Sequence, residues 1–426
     1  MENTAKTESL YKIKCSRLMQ RLQELGKIGR NNAGGIDRQL ASLADIIARK
    51  WLINCWQEKL GLTVKVDPIA NIWGSLPDMH NKRKPIVLGS HHDTVPNGGM
   101  FDGALGVILA TEVMQTLQEN SVKLRHPLKL VSFTGEEPNS FSVSTLGTKV
   151  LSGRLEPTEL AMIRDRNTGE SLQSAIARLG GNLTEVSKAR LQPDCLAAFL
   201  ECHIEQGRHL FDQQEAVAAV TCITGIYREI ITISGESNHA GTTRLGDRRD
   251  ALTAAAEVCL AVEDIMRTPE LEEVAATIGR IVVKPNASNI IPGEAILTLD
   301  LRTAEVQKKR QALAQLDKAV AEIARRRQIR IERSMNLDQA EMPMDPIIIE
   351  ALSDAAEANG EKKRNLVSMA GHDAANMARI TRAGMIFVQS VDGYSHCPQE
   401  YTNEAEIAKA AQVMLNAVLL LDRRLD

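Results

Sequence analysis

Two short apolar runs, 85–89 (PIVLG) and 128–133 (LKLVSF), flank a stretch over 103–117. In that stretch Val107, Ala110, Val113, Met114 and Leu117 recur at the helical period. Strand, helix, strand in this order constrains the fold more than any other feature. It calls for a largely parallel or mixed sheet covered by helices, the α/β class. Each apolar run ends in polar residues: Ser90-His91-His92-Asp93 after the first, Gly135-Glu136-Glu137 after the second. Open α/β sheets place their ligands beyond these strand ends. A helix is expected upstream over 41–56, from Leu43, Ile46, Ile47, Trp51 and Leu52.

The middle of the chain has a different rhythm. Strands are expected over 227–233, 277–283, 295–301 and 329–332, and helices over 248–266 and 306–325. The second helix aligns Leu313, Leu316, Val320 and Ile323 on one face. The order β-α-β-β-α-β is that of the split βαβ, or ferredoxin-like, unit. It reads as a domain over 221–335 inserted into a discontinuous one over 1–220 and 336–426. The chain closes with an expected helix over 403–421.

The 426 residues are long enough for two or three domains at roughly 150 each. A net charge of −3 leaves no electrostatic footprint for nucleic acid, and 3% aromatics offer little to stack bases on. The seven cysteines are odd in number, widely spaced and without a C-x-x-C pair, against a disulfide framework or a cysteine zinc site. Residues 1–10 are polar, and no stretch approaches the ~18 apolar residues of a membrane span. A reduced, cytoplasmic location without a membrane partner is the expectation.

Chemistry concentrates in loops. His91-x-Asp93 leaves the first strand, where an imidazole can ligate a metal while a carboxylate orients it. Asp102 stands at a helix start, Glu136-Glu137 ends the next strand, and His203 and His396 lie in polar stretches downstream. Adjacent carboxylates can divide the labour, one as ligand and one as general base. Taken singly, each motif is more often a cap, a solvated turn or a structural histidine. Together they supply what a dinuclear hydrolase needs, a bridging carboxylate and two further ligands per ion, with the ions about 3.5–4 Å apart.

The stretches GSHHDTVPNGGMFDGALGV (89–107), GEEPNSF (135–141), ECHIEQG (201–207), GESNHAGTT (235–243), PNASNIIPG (285–293), DLR (300–302), AGHDA (370–374) and GYSHCPQE (393–400) resemble the amidase/hydantoinase/carbamoylase family of dinuclear metal amidohydrolases. These are relatives of the aminoacylases and metallo-carboxypeptidases. The resemblance implies a metallopeptidase-like catalytic domain interrupted by a ferredoxin-like lid and dimerisation domain, in a homodimer. It implies metal ligands His91, Asp102, Glu137, His203 and His396, with Asp102 bridging and Asp93 orienting His91. Two divalent ions per subunit are expected, zinc first, with manganese, cobalt or nickel open.

Glu136 takes the part of general base for a hydroxide held between the metals, and afterwards delivers the proton to the leaving nitrogen. His239 is implied as a donor to the oxyanion. Gln206, Asn289 and Arg302 are implied as substrate-binding groups, some of which can come from the neighbouring subunit. The reaction implied is hydrolysis of N-carbamoyl-L-amino acids or allantoate-like ureides, releasing ammonia and carbon dioxide. An aminoacylase or dipeptidase of the same fold, or a non-catalytic ureide-binding member, is the alternative. The chain departs from the commonest pattern at Arg244, Met369, Cys397 and Thr148, near where substrate is expected but at no expected ligand. Arg302 can also be read as a salt-bridge partner of Asp300, and His372 as either a support for the site or a structural residue. His92 reads as the spacer of His-x-Asp, and His80, His126 and His209 as residues without chemistry.

Overall fold

The computed structural model describes residues 11–77 and 82–425; the polar stretch 1–10 and His80 lie outside them. The chain divides into two compact units: Met1–Thr221 with Pro343–Asp426, and Cys222–Met342.

The first unit is built on a mixed sheet. Its centre is four parallel neighbours in the order Leu128–Phe133, Ile86–His91, Ala198–Ile204, Ala383–Val388. These strands are buried almost throughout because both faces of the sheet are covered, which is why they read as unbroken apolar runs. Antiparallel strands flank them, Ile72–Ser75 and Thr63–Val66 on one side and Val217–Ile223 on the other.

The helix expected over 103–117 is Ala104–Glu119, and nearly all of it is buried. Its Glu112 carboxylate receives Arg17 Nε and Nη2 at 2.7 Å each, a bidentate pair that ties on the first helix, Cys15–Lys27. That helix buries Leu18, Leu22 and Leu25, each contributing roughly 1.5–3 kcal/mol. The helix expected over 41–56 starts at Leu43, where Ser42 Oγ accepts the Asp45 N–H, and passes at Cys55 into a π-helical turn, Cys55–Lys59. Trp56 in that turn is fully buried and donates from Nε1 to Thr111 Oγ1 at 2.9 Å. The closing helix, Glu404–Arg424, sends Ile407, Met414, Val418 and Leu421 into the same core.

Two histidines serve structure. His92 is buried between Asp45 Oδ1 (2.9 Å from Nε2) and Ser132 Oγ (2.7 Å from Nδ1), so it pins the second helix to the sheet rather than acting as a mere spacer. His126 is buried against Lys84 O at 2.8 Å, while Asp422 accepts its backbone N–H. All seven cysteines are free thiols. No helix among the described residues is long and apolar enough to cross a membrane.

The second unit follows the order β-α-β-β-α-β. Among the described residues its antiparallel sheet runs Arg330–Gln339, Gly225–Ser234, Glu294–Thr303, Ala275–Lys284. Strand Glu294–Thr303 alternates without a break, and its buried face receives helices Ala251–Met266 and Val306–Arg327. Helix Ala251–Met266 starts later than expected because Asp250 caps it, accepting the N–H groups of Leu252 and Thr253. The last strand continues to Gln339, well past the expected 332. Its second half, RSMNLDQ, is half-exposed at the sheet edge and broken by a bulge at Met335/Leu337, so no apolar period marks it.

Candidate metal centre

The parallel strands deliver the expected ligands to one edge of the sheet. His91 is the last residue of Ile86–His91, His203 lies near the end of Ala198–Ile204, and Glu136-Glu137 follow Phe133. Asp102 stands one residue ahead of Gly103, which opens helix Ala104–Glu119. Gly103 has φ +62°, and a Cβ there would sit 2.2 Å from His91 Cε1; only glycine lets the turn close over the imidazole.

Two groups of three potential ligands result, His91/Asp102/His203 and Asp102/Glu137/His396, each with its ligand atoms within 4.8 Å of one another. Asp102 belongs to both, and its oxygens divide between them. Oδ1 lies 3.4 Å from His91 Nε2 and 3.3 Å from His203 Nε2, whereas Oδ2 lies 3.5 Å from His396 Nε2. His396 Nε2 is in turn 3.3 Å from Glu137 Oε1. Tetrahedral ligands about 2.0–2.2 Å from one ion are about 3.3–3.6 Å from each other, so these spacings suit a cation. The imidazoles are aimed for it. His91 Nδ1 donates to Asp93 O at 3.1 Å and His203 Nδ1 to Ile204 O at 2.9 Å, which turns both Nε2 lone pairs toward Asp102. Buried Glu137 Oε1 and Gln206 Oε1 make no hydrogen bond among the described residues. The donor set, the spacing and these orphaned oxygens fit two divalent ions.

The charges follow from this crowding. Burial works against ionisation of Asp102, but His203 and His91 outweigh it and hold the carboxyl well below its usual range. Burial also opposes a charge on His91, yet Asp102 and Asp93 raise its pKa well above the usual one. His396, with Glu137 Oε1 3.3 Å from its Nε2, is raised to about 9. Such a cage draws protons until a cation displaces them. Glu136 stands beside the ligands but in neither group, with Oε2 3.8 Å from His91 Nε2. Burial, with Glu137 and Asp373 adding to it, outweighs His91 and pushes Glu136 well above the usual carboxylate range. A buried carboxylate tuned upward beside potential metal ligands is suited to proton transfer near neutrality.

Asp93 works through two sets of atoms. Its main-chain carbonyl orients His91, while its carboxylate accepts the N–H groups of Glu136 (3.2 Å) and Glu137 (3.1 Å) and holds that loop. Gln206 reaches the shared ligand itself, donating from Nε2 to Asp102 Oδ2 at 2.6 Å, and Ser395 Oγ donates to the same oxygen at 3.1 Å. His372 is buried against His203, ring centroids 4.4 Å apart, with Nε2 2.9 Å from Ser368 Oγ. Burial and the charge of His203 hold its pKa well below the usual value, so it supports the site as a neutral ring.

The remaining expected residues lie in the second unit. His239 is exposed, and its Nδ1 accepts the N–H groups of Gly241 (3.0 Å) and Thr242 (3.2 Å), which leaves the ring proton on Nε2. Asn289, also exposed, accepts the Ala240 N–H at 3.0 Å. Arg302 Nε donates to Asp300 Oδ1 at 2.8 Å while Arg228 Nε donates to Oδ2 at 2.6 Å, so two guanidiniums share this carboxylate.

Sequence reasoning missed the buried carboxylates around the ligands. Glu201 accepts from Ser90 Oγ at 2.6 Å and from the Ala374 N–H at 3.0 Å, and Glu400 accepts from the backbone of Phe101 and Asp102. Both stand inside stretches singled out for their histidines, and an acidic residue two to four positions from a ligand was the available signal.

Comparison with known proteins shows the family of the chain. Residues 87–420 match the pattern of Peptidase family M20/M25/M40. An N-carbamoyl-L-amino acid amidohydrolase of Geobacillus stearothermophilus is 34% identical over 406 residues, 95% of this chain and 98% of that one. A ureidoglycolate hydrolase of Arabidopsis thaliana is 30% identical over 403 residues, 93% of this chain and 84% of that one. The crystal structure of an amidase of the hydantoinase/carbamoylase family from Burkholderia multivorans superposes with a TM-score of 0.88 at 31% identity, covering 96% of this chain and 98% of that chain.

Proposed function

Because the chain belongs to Peptidase family M20/M25/M40, we propose that it is a metal-dependent hydrolase of the carbon–nitrogen bond in N-carbamoyl-L-amino acids or allantoate-like ureides. One observation carries the reading: Asp102 is shared by two ligand groups, and Glu136 lies 3.8 Å from His91 but in neither group. His91, Asp102 and His203 would hold one ion and Asp102, Glu137 and His396 the other, zinc by the balance of imidazole and carboxylate donors. Bound there, divalent ions supply Lewis-acid chemistry, acidifying water and polarising a carbonyl.

The chain's own groups do the rest. Glu136 accepts a proton from the attacking water and passes it to the leaving nitrogen. His239, with its proton on Nε2, donates to the carbonyl oxygen as negative charge builds on it. Asn289 and Gln206 hold the ureido group. Arg302 takes the substrate carboxylate, for which a planar guanidinium fork is suited. A homodimer, carried by the family resemblance, and a cytoplasmic location, carried by the odd, widely spaced cysteines, are part of this reading.

A panel of N-carbamoyl amino acids, ureides, N-acyl amino acids and dipeptides, offered after zinc and manganese loading separately, tests it. Ammonia released together with an amino acid, or from a ureide, is the expected result. Amino acid without ammonia would make the chain an aminoacylase or dipeptidase, and binding of a ureide without turnover would make it a non-catalytic member. Arg302→Lys keeps the charge but loses the planar fork, and should raise KM for carboxylate substrates about tenfold, the scale of one charged hydrogen bond. An unchanged KM would return Arg302 to its pairing with Asp300.

A further inference from the structure

Glu400 lies four residues beyond His396 in the loop that carries this ligand, and it is 5% exposed. A hydrogen bond from the Val391 N–H to Tyr401 O, 2.9 Å, closes the base of that loop. Glu400 Oε1 accepts two consecutive backbone N–H groups of the other ligand loop, those of Phe101 at 2.8 Å and Asp102 at 3.0 Å. The approach is tight. A Cβ on Gly99 would lie 2.1 Å from Glu400 Cδ and Oε1, so the loop can close on this carboxylate only with glycine there. The rings of Phe101 and Tyr401 meet edge to face, centroids 5.9 Å apart, beside the clamp. Asp93 makes the same kind of clamp on the N–H groups of Glu136 and Glu137.

We propose that Glu400 is a positioning residue for the shared ligand: by gripping the backbone of Asp102 from the loop that carries His396, it fixes how the two Asp102 oxygens divide between the ligand groups. Groups that orient metal ligands typically change metal affinity 10–100-fold when removed. The inference rests on Asp102 being a metal ligand.

The test compares Glu400→Met, which fills the volume with only a weak sulfur acceptor, and Glu400→Gln, which keeps a carbonyl oxygen for both N–H groups. Zinc affinity is read by competition with a chromogenic chelator, alongside kcat, KM and the unfolding midpoint of the metal-free protein. Glu400→Met should weaken zinc binding roughly 10–100-fold and lower kcat with KM unchanged, and Glu400→Gln should restore most of both. Unchanged zinc affinity in Glu400→Met would overturn the proposal, as would a lower midpoint of the metal-free protein with zinc binding intact. Equal losses in the two variants would overturn the backbone clamp in favour of a charge effect. If the parent protein binds no zinc, it is the metal reading that fails rather than the role of Glu400.

Discussion

Glu136→Gln should leave both metal ions in place and lower kcat by roughly 10²–10⁴-fold, the range spanned by a positioned general base. The two side chains have nearly the same shape, and Glu136 belongs to neither ligand group, so its neutralisation leaves the ligands untouched. What disappears is the proposed proton acceptor, a carboxylate 3.8 Å from His91 and outside both ligand groups. Its neighbour makes the contrast. Glu137 Oε1 faces His396 Nε2 at 3.3 Å and is buried without a hydrogen bond, as a ligand atom should be. Metal content by atomic emission, measured with the turnover of the same preparation, decides the matter. Loss of metal from Glu136→Gln would mean that the two glutamates exchange roles.

Asp102→Ala should be the most damaging change for metal content. Every other expected ligand appears in one group and Asp102 in both, so its removal should take the stoichiometry from two ions per chain to near zero, and activity with it. His203→Ala and His396→Ala touch one group each and should each leave one ion. The asymmetry follows from the split of the Asp102 oxygens, Oδ1 toward His91 and His203 and Oδ2 toward His396. Retention of one tightly bound ion in Asp102→Ala would show the two groups to be independent and would remove the shared-ligand reading.

Much of this molecule is legible in its residues. The apolar runs around 85–89 and 128–133 mark two of the central strands, because strands covered on both faces show no alternation. The β-α-β-β-α-β order of the second unit can be read before any coordinates, as can the names of the candidate ligands. Strand Ala198–Ile204, which carries His203, is harder to see: a short apolar run is compatible with strand or buried helix, and length alone does not decide. The extension to Gln339 escapes notice because an edge strand with polar residues on both faces has no period to find.

Side-chain identity at strand ends, a covalent property of the chain, determines by itself which atoms are available as ligands, base and donors. Tertiary structure decides how those atoms are held. The carboxylates of Asp93 and Glu400 act on backbone N–H groups, which every residue except proline carries, so no residue type marks their targets. Glu400 is 298 residues from Asp102, and only folding sets the two loops against each other. The same holds for His92: by sequence it is the spacer between a ligand and its orienter, and only burial against Asp45 and Ser132 makes it a tie between helix and sheet.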